Sequence, residues 1–167
     1  MRLSTRSLRS TSAGRRAGLC TALGTGLAAV GVLALAPAAG AVEPQSATIS
    51  FDCGTWGAGS ATLTAAQNGT AATIEVSTSA ITAPIDVGAG SVSSTLTLTN
   101  NGAGEVSFTG DSNPAIPAGS AVSTGPLDGT VAPGDSLEAA SLTVVVFGVT
   151  ATCTATSAQT PGPFVFD

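Results

Sequence analysis

The stretch that decides the fold is SLTVVVFGVTATCTA, residues 141–155. Leu142, Val144 and Val146 share one parity, and Val149, Ala151, Cys153 and Ala155 share another after Gly148. Successive side chains of a strand point to opposite faces, so the run predicts two consecutive half-buried strands hinged at a glycine. The same alternation turns Cys153 inward. Its only mate downstream of the apolar N-terminal region is Cys53, and a Cys53–Cys153 disulfide would staple the first strand to one of the last.

Charge is distributed unevenly along the 167 residues. Arg2, Arg6, Arg9, Arg15 and Arg16 are the only basic residues and precede an apolar stretch at 19–42, whereas all ten acids follow it. A charged head, an apolar middle and Ala39-Gly40-Ala41 have the form of a secretory signal with an A-x-A cleavage site. The expectation is a helical signal peptide over 1–41, cleaved after Ala41, and one domain over 42–167. An uncleaved membrane anchor is the competing reading, and Pro37 with the small residues around it weighs against that. Arg15-Arg16 raises twin-arginine export, without the flanks usual for it. Cys20 opens the apolar stretch rather than closing it, which argues against lipidation and sends it away with the signal. No sorting motif follows the last residues, so covalent wall attachment is not expected.

Residues 42–167 hold ten carboxylates and no Lys, Arg or His, a side-chain charge of about −10. Phosphate backbones and anionic membrane surfaces are repelled, because nothing is present to replace their counterions. Nucleic acid is therefore excluded as a partner, and self-repulsion favours a monomer. An oxidising compartment suits the two remaining cysteines, and closing a loop of about 100 residues is worth up to roughly 4–5 kcal/mol in the chain-entropy account. The chain is expected outside the cell, secreted or loosely held at the envelope.

Short alternating runs fill the rest. Ile49, Phe51 and Cys53 share a face in an opening strand, followed by a glycine-rich turn around Trp56. Ala61, Leu63 and Ala65 alternate with threonines, as do Ala72, Ile74 and Val76 with Thr73 and Glu75. Asn68-Gly69 between them predicts a type I′ hairpin, which explains the sequon Asn68-Gly69-Thr70 without a sugar. Residues 81–90 read as a connection with a short edge strand at 85–87. Val92, Ser94, Leu96 and Leu98, then Val106 and Phe108, form a second hairpin about Asn101-Gly102-Ala103-Gly104. Residues 111–131, rich in Pro, Gly, Ser and Asn, read as the longest irregular passage and the first place to seek function on a loop. Pro133-Gly134 is a turn, and Phe164-Val165-Phe166 a short last strand.

No helix-period segment of useful length follows Ala41, and the class is all-β, read as a single Greek-key two-sheet sandwich. TLTLTNNGAGEV and VAPGDSLEAASLTV resemble the strand, Asn-x-Gly turn and late Pro-Gly turn of immunoglobulin-like sandwiches of secreted bacterial proteins, over residues 91–147. The Gly, Ala and Thr richness is also similar to that of small exported actinobacterial proteins without an assigned role. Trp56 lies just after the first cysteine rather than midway between two, so an antibody-type domain and its ligand sites do not carry over.

Without His, Lys, Arg, Tyr or a free thiol, the acid–base inventory after Ala41 reduces to carboxylates and termini, and an enzyme is not expected. Hard cations want oxygen, so Asp111, Asp128, Asp135 and Glu138 are candidate Ca²⁺ ligands if the fold brings them together; the plainer reading is solvated turn carboxylates. Trp56 beside Asp52 offers a stacking platform for a sugar, against the plainer reading that it covers the disulfide. The expectation is thus a non-catalytic structural or interaction module with a protein or glycan partner and no obligatory cofactor.

Overall fold

The computed structural model describes residues 41–167; the expected signal peptide lies outside the described residues. Within them the chain forms β1 (Ser46–Asp52), a 3-10 turn (Gly54–Trp56), β2 (Ala58–Asn68), β3 (Ala71–Thr82), β4 (Val92–Asn100), β5 (Gly104–Gly110), β6 (Ala121–Thr130), β7 (Ser136–Val146), β8 (Val149–Ala155) and β9 (Phe164–Val165). The domain is all-β. Among the described residues no helix is long and apolar enough to cross a membrane.

The expected two-sheet, immunoglobulin-like sandwich is not what forms. Pairing runs β4-β5-β6-β3-β2-β1-β8-β7 and returns from β7 to β4, so the sheet closes on itself as an eight-stranded antiparallel barrel. Two seams make the difference. Thr109 pairs with Asp128 between β5 and β6, and Phe51 and Asp52 pair with Ala155 and Thr154 between β1 and β8. Elsewhere the ladders are long, as in the run from Val92↔Val146 to Asn100↔Leu137 between β4 and β7. Closure removes the free edges that a sandwich would leave.

The β1–β8 seam is reinforced where its ladder ends: Cys53 and Cys153, next along each strand, are joined by the disulfide expected from the sequence. At the β5–β6 seam, a Cβ added to Gly129 would lie 2.6–2.7 Å from the Phe108 ring, so only glycine lets that buried phenyl group lie across β6.

The passage expected to be irregular holds β6. Its Gly125-Pro126 pair reads as a loop but sits at a bulge, where the β3 register shifts between Glu75 and Ser77. Gly125 takes φ +66° there, and the Val76 N–H donates to Thr124 Oγ1 instead of to the ladder. Two smaller expectations also shift. Residues 85–87 are no strand, contributing only the bridge of Val87 to Ile116. In the first hairpin Asn68 pairs with Ala71, so Gly69-Thr70 is the turn, with positive φ at Gly69 alone, the II′ pattern rather than I′.

Inward positions are apolar and outward ones polar, as in Leu63 and Ile74 against Thr64 and Glu75. The interior is not filled evenly. At the end carrying the β2–β3, β4–β5 and β6–β7 turns, Phe108, Phe164, Phe166, Leu98, Leu127 and Leu137 are fully buried. Phe164 enters by β9, which pairs with Ser136 and Leu137 at the start of β7. The opposite end is crossed by the β3–β4 connection, which passes over β6 and β5.

Replacing both Cys53 and Cys153 by alanine is expected to cost about 2–5 kcal/mol in urea unfolding. Gly129→Ala is expected to cost about 1–3 kcal/mol by crowding Phe108, with part of the loss recovered in the Gly129→Ala/Phe108→Leu double variant.

Candidate functional site

Eight strands enclose a space that side chains just fill, or that holds one small ligand when they are too small. On β8 the inward residues are Ala151, Cys153 and Ala155, and opposite them on β7 stand Leu142 and Val144. This row is too short to reach across the barrel. A cavity of about 370 Å³ results, floored by Ile49, Leu63 and Leu96 and open at the end crossed by the β3–β4 connection. It explains why Leu142, Val144, Ala151 and Cys153 are only half-buried although they point inward: they face the hollow. Its lining carries no charged side chain, and its few polar ones are hydroxyls such as Thr78, Ser123 and Ser141.

Three segments build the mouth. The first is the 3-10 turn after β1. Asp52 Oδ1 accepts the Gly54 N–H at 2.7 Å, the Cys53 N–H donates to the Gly57 carbonyl, and Trp56 projects from this turn half-exposed, lining the cavity beside Cys53. The second is the β7–β8 hairpin tip. Val146 pairs with Val149, leaving Phe147-Gly148 as a two-residue turn with φ of +51° and +75°, the I′ pattern. Phe147 and Val149 are exposed there and line the opening.

The third is the β3–β4 connection, residues 83–91, which carries exposed Ile85. It is latched to the β5–β6 connection, residues 111–120. Val87 and Ile116 exchange both backbone hydrogen bonds at 2.9 Å, and Asp86 Oδ1 accepts the Ala118 N–H at 2.8 Å. Asn113 is the centre of the latch: 2% exposed, its Oδ1 accepts the Ser91 and Val92 N–H groups, and its Nδ2 donates to the Gly88 and Pro114 carbonyls. Every hydrogen-bonding position on that amide but none from water is thereby used within two loops. Asn113 stands in the passage marked as a first place to seek function, yet its work is to hold the roof of the opening.

The candidate cation ligands do different jobs. Asp135 accepts the Ala132 N–H at 2.8 Å and Asn100 Nδ2 at 3.0 Å, bracing the β6–β7 turn. Glu138 accepts the Gln159 N–H at 3.2 Å. Asp128 lies on β6 opposite Thr73 and Thr109, and Asp111 follows the end of β5. Among the described residues no three of His, Cys, Asp and Glu come together as a metal-holding group. Cys53 and Cys153 are joined to each other. Asp52 and Trp56 are neighbours, but the Asp52 carboxylate braces the turn and the surroundings of the indole are apolar.

What sequence reasoning missed is the hollow and its rim. The signal was present in two forms: the small inward residues of β8, and a phenylalanine where a two-residue hairpin turn normally carries Asn, Asp or Gly. Comparison with known families, curated proteins and solved structures returns no match to this chain.

Asn113→Ala is expected to lower stability by about 2–4 kcal/mol, since it strands two backbone N–H groups and two carbonyls. Thermal unfolding measures the loss, and amide exchange at Ser91 and Val92 is expected to accelerate in the same variant.

Proposed function

We propose that this chain is an exported, non-enzymatic binding protein that holds one small, uncharged, apolar molecule in the open half of the barrel. The observation that carries the reading is the cavity of about 370 Å³ without a charged lining residue. Its volume falls within the roughly 300–1,000 Å³ of small-molecule sites, whose linings are mainly apolar with a few placed polar groups. Here Thr78, Ser123 and Ser141 supply those groups, enough to orient a hydroxyl or carbonyl and too weak to neutralise a carboxylate.

Charge narrows the ligand class further. No Lys, Arg or His exists after Arg16, and ten carboxylates surround the site, so an anionic ligand meets an opposing field with no counter-charge. Uncharged lipids, terpenoid-like hydrocarbons and long-chain alcohols fit; free fatty acid anions do not. The apolar surroundings of Trp56 favour this over a sugar, which needs polar partners beside its stacking face. Export is supported by the form of the N-terminal region and by the Cys53–Cys153 disulfide, which an oxidising compartment maintains.

Titration with an uncharged naphthylamine dye is expected to give saturable binding at one dye per chain. A long-chain alcohol is expected to displace it better than the carboxylate of equal length. Ala151→Phe, which fills the hollow from β8, is expected to weaken the dye about tenfold or more, some 1.4 kcal/mol. Absence of saturable binding, or preference for the carboxylate, rejects the reading.

A further inference from the structure

Six large apolar side chains are exposed among the described residues, and four of them, Trp56, Ile85, Phe147 and Val149, stand around the one mouth. They come from three segments separated in sequence, so a single mis-set loop does not account for them. Val145 and Val165 lie elsewhere. Contiguous exposed apolar groups mark surfaces that meet something apolar.

Phe147 adds an independent sign. Its φ of +51° lies in the left-handed region, where a bulky side chain is unfavourable and Asn or Gly is at ease. The fold thus holds a phenylalanine, 63% exposed, at a backbone position that disfavours it and at a place where its own core gains nothing. A residue kept in a costly conformation and turned outward is placed for an encounter.

We infer that these four side chains form a docking surface for an electrically neutral, zwitterionic lipid bilayer, from which the cavity takes its ligand; the inference rests on the ligand reading above. Charge selects this occupant. Asp52 and Asp86 flank the lip, and the described chain carries no cation, so an anionic bilayer is repelled. A second copy brings its own ten carboxylates, so mouth-to-mouth pairing is opposed by the same field. A neutral lipid surface has neither objection. Trp and Phe favour the interfacial layer, and a cavity opening at the centre of the lip passes an apolar molecule from lipid to protein without exposing it to water.

The sole tryptophan reads the lip directly. With the full chain and phosphatidylcholine vesicles, Trp56 emission is expected to shift to the blue and to be quenched by brominated lipid. Adding phosphatidylglycerol is expected to weaken the effect. Phe147→Asn is expected to lower vesicle affinity about tenfold or more, while raising the melting temperature because Asn suits the turn. Ala151→Phe is expected to lose the dye yet keep the vesicle-induced shift, which separates docking from filling. Wild-type protein that binds the dye but shows no shift on phosphatidylcholine overturns the docking inference and leaves the ligand reading standing. A shift that needs anionic lipid, one that grows with protein concentration in the absence of vesicles, or a Phe147→Asn variant that docks as well as wild type each overturns it too.

Discussion

The structure depends on closing a ring of eight strands through two places where little backbone pairing is available. Between β5 and β6 one residue pair spans the seam, and between β1 and β8 two do. Each seam has a non-ladder reinforcement in the place where the ladder gives out. Phe108 lies across Gly129 at one, and the Cys53–Cys153 bond continues the other. Once closed, the ring has a fixed girth, and the sizes of its inward side chains decide whether the interior is solid or hollow.

Both answers occur along the same axis. The end built from Phe108, Phe164 and Phe166 with Leu98, Leu127 and Leu137 is solid and supplies the apolar burial that holds the fold. The end lined by Ala151, Cys153 and Ala155 is hollow, and its shape is kept by backbone bridges and by Asn113 rather than by packing. Stability and binding are thus assigned to different ends of one barrel. That division lets an under-filled region persist without loosening the whole, since a void is destabilising mainly where neighbouring side chains must collapse into it.

Much of the strand pattern was legible because alternation is a local property. The hairpin of 141–155, the disulfide, the turn at Asn101-Gly102 and the terminal strand at Phe164 all follow from neighbours in sequence. What was not legible is long-range. Sandwich and barrel differ here by three residue pairs, Thr109↔Asp128, Phe51↔Ala155 and Asp52↔Thr154, none of which has a signature in its own segment. β6 was hidden because Gly125-Pro126 is a loop signal anywhere except at a bulge. Asn113 and the four acids illustrate the same limit: their residue types are equally at home in a metal site and in a turn, and only the partners decide. The cavity was unreadable for a further reason. A run of small inward residues looks the same whether a larger neighbour crosses over to meet it or nothing does.

The solid end has a last consequence. Because aromatic rings plug the barrel opposite its mouth, the hollow is a cul-de-sac and not a conduit. Whatever goes in must come back out the same way, one guest at a time, and a newcomer has to wait for a vacancy. Traffic through such a dead end is serial, and its direction is set by which surface the doorway happens to face.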